Sequence, residues 1–178
     1  MAALRLPAEV AAWATFAAAL VNTRPRPADP PEKLRGAADL QALLEAAPER
    51  APRTAGEADV EPARALRDAL VGAFRAAGPD DAAAALNPLL ARWTLRPAAQ
   101  GGWELGPARD AELRDWLAAN CARGLAELVA TYGVQRLHEC SAEDCQAVLV
   151  DVSRNGARRF CSRTCASRVN VRRHRHPV

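Results

Sequence analysis

Apolar residues recur every three or four positions along most of the chain, a pattern typical of amphipathic helices. The first predicted helix runs from Pro7 to about Val21. Its apolar face is formed by Leu6, Val10, Trp13, Ala17 and Leu20. Further helices are predicted over about residues 38–47, 61–77 and 81–93, and Pro88 is expected to kink the last of them.

Ahead of the last long helix the pattern changes to alternation, which is typical of strands. The alternating apolar residues are Trp93, Leu95, Trp103 and Leu105. Gly101-Gly102 lies between the two halves and predicts the turn of a β-hairpin. The longest predicted helix then runs from Pro107 to about Tyr132. Residues 1–134 are thus predicted to form a mainly α-helical domain with one β-hairpin, of the α+β class.

Charge is unevenly distributed along the chain. The 178 residues carry a net charge of +3, but the segment from Arg136 to the end has nine arginines and four acids, which leaves −2 for residues 1–135. After Asp151 there are eight arginines and no acid. This asymmetry is typical of a chain end that binds a polyanion, and equally of a solvated basic tail.

The sequence predicts a cytoplasmic protein. It has no run of 18 uncharged apolar residues, so no membrane span is expected. The apolar run Val10–Val21 resembles the core of a secretion signal, but Glu9 stands where basic residues are expected. Because cytoplasmic thiols stay reduced, clustered cysteines there bind metal more often than they form disulfides.

Four of the five cysteines form two close pairs, Cys140 with Cys145 and Cys161 with Cys165, separated by fifteen residues. This spacing is typical of a structural zinc site, in which four thiolates surround one ion and leave no position open for hydrolytic chemistry. Free or disulfide-bonded thiols are the alternative interpretation. Cys121 lies instead in the apolar stripe of the longest helix and is predicted to be a buried thiol.

The composition of residues 135–178 also favours a metal ion. This segment has few large apolar residues, and a unit of about 40 residues with so little to bury rarely folds without a cross-link or a metal. A structural zinc ion supplies on the order of 10 kcal/mol of coupled binding and folding energy. The segment is therefore predicted to be a separate small domain built around one Zn²⁺.

The local sequence predicts how this small domain displays its ligands. Residues 147–152 are predicted to form a strand, Asn155-Gly156 a hairpin turn and residues 158–160 the return strand. Ser162 is suited to cap a helix, and Cys165 then falls in the first turn, where the helix dipole favours a thiolate. A knuckle, a hairpin and a helix that carry ligands are the parts of a treble-clef zinc finger.

The final helix is rich in arginine and is the predicted DNA-binding element. Its candidate contacts are Arg163, Arg168, Arg172, Arg173 and Arg175. Arginine binds both phosphates and guanine edges, so duplex DNA is the expected partner. Four thiolates and one zinc ion together add a charge of −2. Some arginines are therefore expected to neutralise the zinc centre, and we expect Arg158 and Arg159 to do so because they lie close to Cys161 in sequence.

The C-terminal residues resemble the CGNR zinc fingers. The matching runs are Asp151, Ser153-Arg154-Asn155, Arg158-Arg159-Phe160-Cys161-Ser162 and Cys165-Ala166-Ser167-Arg168. Ala166 and Ser167 stand where that family has its name-giving Gly and Asn. Near the N-terminus, Val21-Asn22-Thr23-Arg24 resembles the opening motif of the ABATE domain, which usually precedes this finger.

The resemblance implies a stress-induced transcription regulator with a DNA-binding treble clef and a front domain that binds an unknown small ligand. Asn22, Thr23 and Arg24 are the candidate ligand-binding residues in the front domain. The alternative interpretation of these three residues is that they cap the first helix and begin a loop.

Three other functions fit the sequence less well. A zinc-stabilised protein-interaction adaptor is consistent with a treble-clef fold. RNA binding normally uses several stacking aromatics, and the finger has only Phe160. An enzyme is not expected, because the chain has no Gly-rich phosphate loop and no Ser–His–Asp set. Its histidines, which lie in or beside the finger, are His138, His174 and His176.

Overall fold

The computed structural model describes residues 6–24, 32–97, 101–108 and 110–175, and for Arg96 and residues 173–175 it describes the backbone alone. The helices are α1 (Ala8–Val21), α2 (Ala37–Leu44), α3 (Val60–Phe74), α4 (Pro79–Leu90), α5 (Leu113–Tyr132) and α6 (Arg163–Arg175). The strands are β1 (Trp93–Pro97), β2 (Trp103–Pro107), β3 (Leu137–Glu139) and β4 (Val148–Val150). Among the described helices, none is both long enough and apolar enough to cross a membrane.

The predicted helices are confirmed, but α2 and α3 each end three residues earlier than expected, at Leu44 and Phe74, and two further ends differ. Helix α4 ends at Leu90 rather than at Trp93, and α5 begins at Leu113 rather than at Pro107. The hairpin explains both differences, because Trp93 pairs with Pro107 at the open end of the β1–β2 ladder. Both residues therefore belong to strands. Helix α5 ends as predicted at Gly133, whose φ of 87° is in the left-handed region.

The predicted β-hairpin is confirmed, with Leu95 opposite Leu105 in an antiparallel register. The indole Nε1 of Trp93 donates a hydrogen bond of 2.8 Å to the carbonyl of Ala119, which attaches the hairpin to α5. The guanidinium of Arg123 lies over the same indole at 5.1 Å from the ring centroid. Farther out, the side chains of Leu95, Leu105 and Trp103 are exposed.

The core of the helical part forms around α1, which is buried against α5, α3 and the sheet that precedes α6. Trp13 lies at its centre and packs edge to face on Phe16 and Trp116, with ring centroids 5.4 and 5.2 Å apart. All five residues of the predicted apolar face of α1 are confirmed in this core or packed against it. Cys121 is also fully buried there, as predicted.

Gly124 sets how closely α1 and α5 approach. A Cβ atom at this position would lie 2.5 Å from the backbone nitrogen of Ala14 and 2.8 Å from the Cβ of Trp13. Real Cβ atoms do not approach neighbours so closely, and here the neighbour is main chain that cannot rotate away. The close packing of the two helices therefore depends on a glycine in the middle of α5, where glycine otherwise weakens a helix.

We expect Gly124→Ala to lower the free energy of unfolding by about 1–3 kcal/mol or more, because the methyl group forces the two helices apart. Helix propensity alone would give the opposite sign, a gain of up to about 1 kcal/mol. Gly72→Ala in α3 is a matched comparison, because its Cβ would meet only the methyl of Ala85 at 3.3 Å. Chemical denaturation of both variants tests this prediction, and a more stable Gly124→Ala protein would contradict it.

The predicted pairing within the C-terminal finger is wrong. Strand β4 pairs with β3, which lies before it in sequence, and not with residues 158–160, which form no strand. The reason is burial, because Leu137 of β3 and Val148 and Val150 of β4 all belong to the main hydrophobic core. The predicted turn is present, since Gly156 has a φ of 60°, but it lies in a loop rather than between two strands.

Candidate metal centre and basic surface

Four cysteines converge at the outer end of the β3–β4 sheet. Cys140 directly follows β3 and Cys145 precedes β4, so the two lie on the knuckle that joins these strands. The backbone N–H of Cys140 donates to the carbonyl of Ala147 at 2.7 Å and closes the base of the knuckle. Cys161 follows the loop after β4, and Cys165 lies in the first turn of α6. The sequence prediction that these four residues come together is confirmed.

The sulfur atoms are arranged as a tetrahedral zinc ion requires. All four ligand atoms lie within 4.8 Å of one another, and the Sγ of Cys161 is 3.7 Å from that of Cys145 and 3.6 Å from that of Cys165. Zinc–sulfur bonds of about 2.3 Å in a tetrahedron place sulfurs about 3.8 Å apart. The four side chains therefore fit one structural Zn²⁺ with a complete thiolate shell, which leaves no coordination position for a substrate.

Hydrogen bonds from the backbone and from side chains orient the ligands. The N–H of Cys161 donates to the Sγ of Cys140 at 3.4 Å. Ser162 caps α6 as predicted, because its Oγ accepts a hydrogen bond of 3.2 Å from the N–H of Cys165. Arg168, one turn further along α6, donates from Nη2 to the Sγ of Cys165 at 3.4 Å. Such partners fix ligand geometry and offset the negative charge of a thiolate site.

The four cysteine thiols need a bound cation to ionise fully to thiolates. Burial, followed by the neighbouring sulfurs, raises the pKa of Cys161 to about 12, and burial also raises the pKa of Cys145. The pKa of Cys165 is lowered, chiefly by the hydroxyl of Ser162. Four adjacent thiolates repel one another, so full ionisation of the set requires a bound divalent cation.

The arginines near the zinc centre are not the ones expected. Arg158 donates to the carbonyls of Phe160 and Cys161 rather than to sulfur. The predicted role of neutralising the thiolates falls to Arg168 instead. The reason is helical geometry, since a residue at the third position after a ligand lies on the same face of a helix.

Two acids of the knuckle pair with the arginines of α6. Arg168 forms an ion pair with Asp144 at 2.9 Å, and Arg172 reaches Asp144 at 3.6 Å and Glu143 at 3.7 Å. Both arginines were predicted as DNA contacts, and their side chains are partly exposed. Their charges are therefore largely balanced within the finger. Among the other predicted contacts, the side chains of Arg173 and Arg175 lie outside the described residues.

A second set of arginines has no such partners. Arg154 and Arg159 lie on the exposed loop after β4, and Arg163 begins α6. None of the three side chains makes an ion pair or hydrogen bond with any residue that the structure describes. Arg163 was predicted as a DNA contact, whereas Arg154 was not singled out and Arg159 was assigned to the zinc centre. The sequence does contain a signal for these free arginines, because no acidic residue follows Asp151.

The loop that carries these arginines is held by a buried carboxylate. Asp151 is fully buried, and its two oxygens accept hydrogen bonds from the N–H groups of Ser153 at 2.8 Å and Arg158 at 2.9 Å. Burial alone would raise the pKa of Asp151, but hydrogen bonds from Ser153 and Arg158 and the charge of Arg136 hold it below its usual value. Arg136 also donates to the carbonyls of Asp151 and Ser153.

The three candidate ligand-binding residues near the N-terminus, Asn22, Thr23 and Arg24, differ from one another in burial and in hydrogen-bond partners. Asn22 joins the two parts of the molecule, because its amide donates to the carbonyl of Val148 and accepts from the N–H of the same residue, both at 2.8 Å. Thr23 is buried and donates to the carbonyl of Leu20, and it accepts a hydrogen bond from Arg67. Arg24 is exposed and lines a cleft beside them.

Two family models match the chain, one over the helical part and one over the finger. Residues 5–132 match the ABATE family, described as "putative stress-induced transcription regulator". The chain belongs to the ABATE family. Residues 136–176 match the CGNR zinc finger, so the zinc centre of this ABATE protein lies in a finger of that type. A search of curated proteins found no match.

The finger of this ABATE protein departs from the CGNR pattern without loss of its ligands. Ala166 stands at the position of the family Gly, and its N–H makes an ordinary helical bond to the carbonyl of Ser162 at 3.2 Å. Ser167 stands at the position of the family Asn, and it is exposed. Neither change touches a sulfur atom, so the zinc centre is intact.

Proposed function

We propose that this ABATE protein is a cytoplasmic transcription regulator that binds duplex DNA through its zinc finger. The observation that carries the proposal is a set of three exposed arginines, Arg154, Arg159 and Arg163, which lie between β4 and the first turn of α6 and have no ion pair or hydrogen bond among the described residues. Phosphate groups bind arginines of this kind and release counterions on binding. Since the acids of the knuckle balance Arg168 and Arg172, the contact surface is centred on the loop after β4 and the start of α6.

The rigidity of this surface supports a specific contact. The loop is fixed at one end by the buried carboxylate of Asp151 and at the other by Cys161. Arg163 extends from the first turn of α6, whose N-terminal N–H groups add partial positive charge. Arginines on such a fixed frame lose less conformational entropy on binding than arginines of a disordered tail.

Duplex DNA is favoured over single-stranded RNA. Proteins that read single strands stack bases on exposed aromatic rings. The only aromatic residue of the finger is Phe160, and it is packed against the small core beneath the cysteines. A basic surface without a stacking platform is suited to the backbone of a duplex.

Replacement of Arg159 and Arg163 together by Ala is expected to weaken duplex binding and to reduce the slope of log affinity against log salt by about two. The matched control is Arg35→Ala/Arg114→Ala, which removes the same charge from exposed positions on the helical part. Fluorescence anisotropy with a labelled duplex measures both effects. Equal affinities for the two double variants would contradict the proposed surface.

A protein-interaction adaptor is the other outcome that this test can reveal. In that case the zinc-loaded protein would show no salt-dependent duplex binding, although its fold and metal content were normal. The proposal includes no enzymatic activity. It does include ligand sensing by the helical part, which the cleft beside Arg24 supports.

A further inference from the structure

A cleft lies where the helical part meets the finger. Its volume is about 220 Å³, and it is bordered by the end of α1, by α3 and by the knuckle before β4. Val21, Val71 and Val148 supply apolar surface, while Arg24, Arg67 and Gln146 supply polar groups. Pockets for drug-sized ligands have volumes of about 300–1,000 Å³, so this one suits a smaller molecule.

Several donors at this cleft have no hydrogen-bond partner among the residues that the structure describes. Arg67 is only 2% exposed, and its Nη1 and Nε donate to Glu32, Thr23 and Asp68. Its Nη2 makes no hydrogen bond with any residue in the described part of the chain. This Nη2 is open to the cleft rather than sealed in the core, so water or a ligand can accept from its N–H groups. The side chains of Arg24 and Gln146 likewise have no hydrogen-bond partner among the described residues.

The balance of charge around the cleft decides what kind of ligand it suits. Arg67 is paired with Glu32 at 2.8 Å and with Asp68 at 3.3 Å, and Arg75 is paired with Glu139 at 2.8 Å. Arg24 is the lining cation without an acid partner among the described residues. One unpaired guanidinium group matches a single negative charge, whereas a phosphate ester of charge near −2 would call for a second.

A neighbouring cavity does not have this character. It shares Arg24, Arg67 and Asp68 with the cleft, but Glu32 and Glu61 also line it. Its extra acids disfavour an anion, and it lacks the three valines. Among the described residues that line these two cavities, the valines and Gln146 line only the cleft next to the finger.

We propose that the cleft binds a small carboxylic acid with a short apolar body, with its carboxylate at Arg24, the Nη2 of Arg67 and Gln146, and its body on Val21, Val71 and Val148. This proposal names the ligand class and the site for the ligand sensing proposed above, and its regulatory role rests on that proposed function. A carboxylate offers two oxygens to the fork of a guanidinium group.

The ligand would contact both parts of the molecule at once. Gln146 and Val148 belong to the finger, while the remaining lining residues belong to the helical part. Val148 is also the residue whose backbone N–H and carbonyl both form hydrogen bonds with the side-chain amide of Asn22. Occupancy therefore stabilises the docking of the finger, which is how a small acid would alter what the finger binds.

The test is calorimetric titration of the zinc-loaded full chain with 4-methylpentanoate and with the uncharged 4-methylpentanamide. The acid is expected to bind at least about tenfold more tightly than the amide, because hydrogen bonds to a charged group are lost in the amide. Arg24→Ala is expected to remove that preference. Arg50→Ala, an exposed arginine outside the cleft, is the matched control and is expected to retain it.

Hydrogen exchange adds a readout of the bridge between the two parts. Bound acid is expected to slow exchange of the Val148 N–H in the wild type and not in Arg24→Ala. Equal affinities for acid and amide, an unchanged preference in Arg24→Ala, or no saturable binding of the acid would each overturn the proposal. No DNA is present in this experiment, so failure of DNA binding and failure of the acid site are distinguished.

Discussion

Replacement of Cys161 and Cys165 by Ser is expected to remove zinc and to unfold the finger. These residues supply two of the four sulfur ligands, one from the loop and one from α6. Structural zinc contributes on the order of 10 kcal/mol to a unit of this size, and the small core beneath the cysteines is too limited to replace it. The helical part should remain folded but become less stable, because Val148 and Val150 leave its core.

Metal analysis and hydrogen exchange measure this effect. We expect one zinc per chain in the wild type and none in the double variant, with rapid exchange of amides in residues 137–170. Cys121→Ala is the matched control, because Cys121 is a buried thiol in the core of the helical part and is not one of the four clustered cysteines. This control should keep its zinc. Retention of slow exchange in the metal-free finger would show that the zinc ion is not what holds the fold.

Asp151→Ala is expected to lower the free energy of unfolding by about 3–5 kcal/mol. The substitution removes a fully buried carboxylate and leaves the N–H groups of Ser153 and Arg158 without acceptors. Arg136, which is nearly buried, loses its nearest negative charge. Because the loop carries Arg154 and Arg159, DNA binding should weaken as well. Denaturation with urea measures the stability, and Asp110→Ala, at an exposed position, should change it by less than about 0.5 kcal/mol.

The contribution of Asp151 also has a defined dependence on pH. Its pKa is below the value of about 3.9 that an unfolded chain has, so the contribution is fully present above that pH. It is lost as the pH falls through the lowered pKa. The difference in stability between wild type and Asp151→Ala should therefore be constant near neutral pH and shrink in acid. A difference that grows on acidification would contradict the assigned role.

The sequence predicted most of the helical part because local signals decide it. The apolar period of α1, the glycines of the first hairpin and the stop at Gly133 each act within a few residues. The pairing of β4 was not predictable in this way. A turn at Asn155-Gly156 suggested a partner after β4, whereas burial of Leu137 against the helical core selects a partner before it.

The sequence predicted the zinc ligands of the candidate site but not its free arginines. Cysteine spacing alone identified the four ligands, since zinc chemistry restricts them strongly. Which arginines remain free was not predictable, because it depends on where the knuckle places Glu143 and Asp144 relative to α6. The pair of hydrogen bonds between Asn22 and the backbone of Val148 was also not predicted, because the two residues are 126 positions apart.

Duplex-DNA binding by the zinc-loaded chain between about 50 and 200 mM salt tests the proposed role of the finger. Three phosphate contacts, one for each of Arg154, Arg159 and Arg163, predict that log affinity falls against log salt with a slope of about −3, and that a chelator which removes the zinc abolishes binding. A zinc-loaded protein with a slope near zero, or with no duplex binding at the lowest salt, would show that the finger does not bind DNA through these arginines.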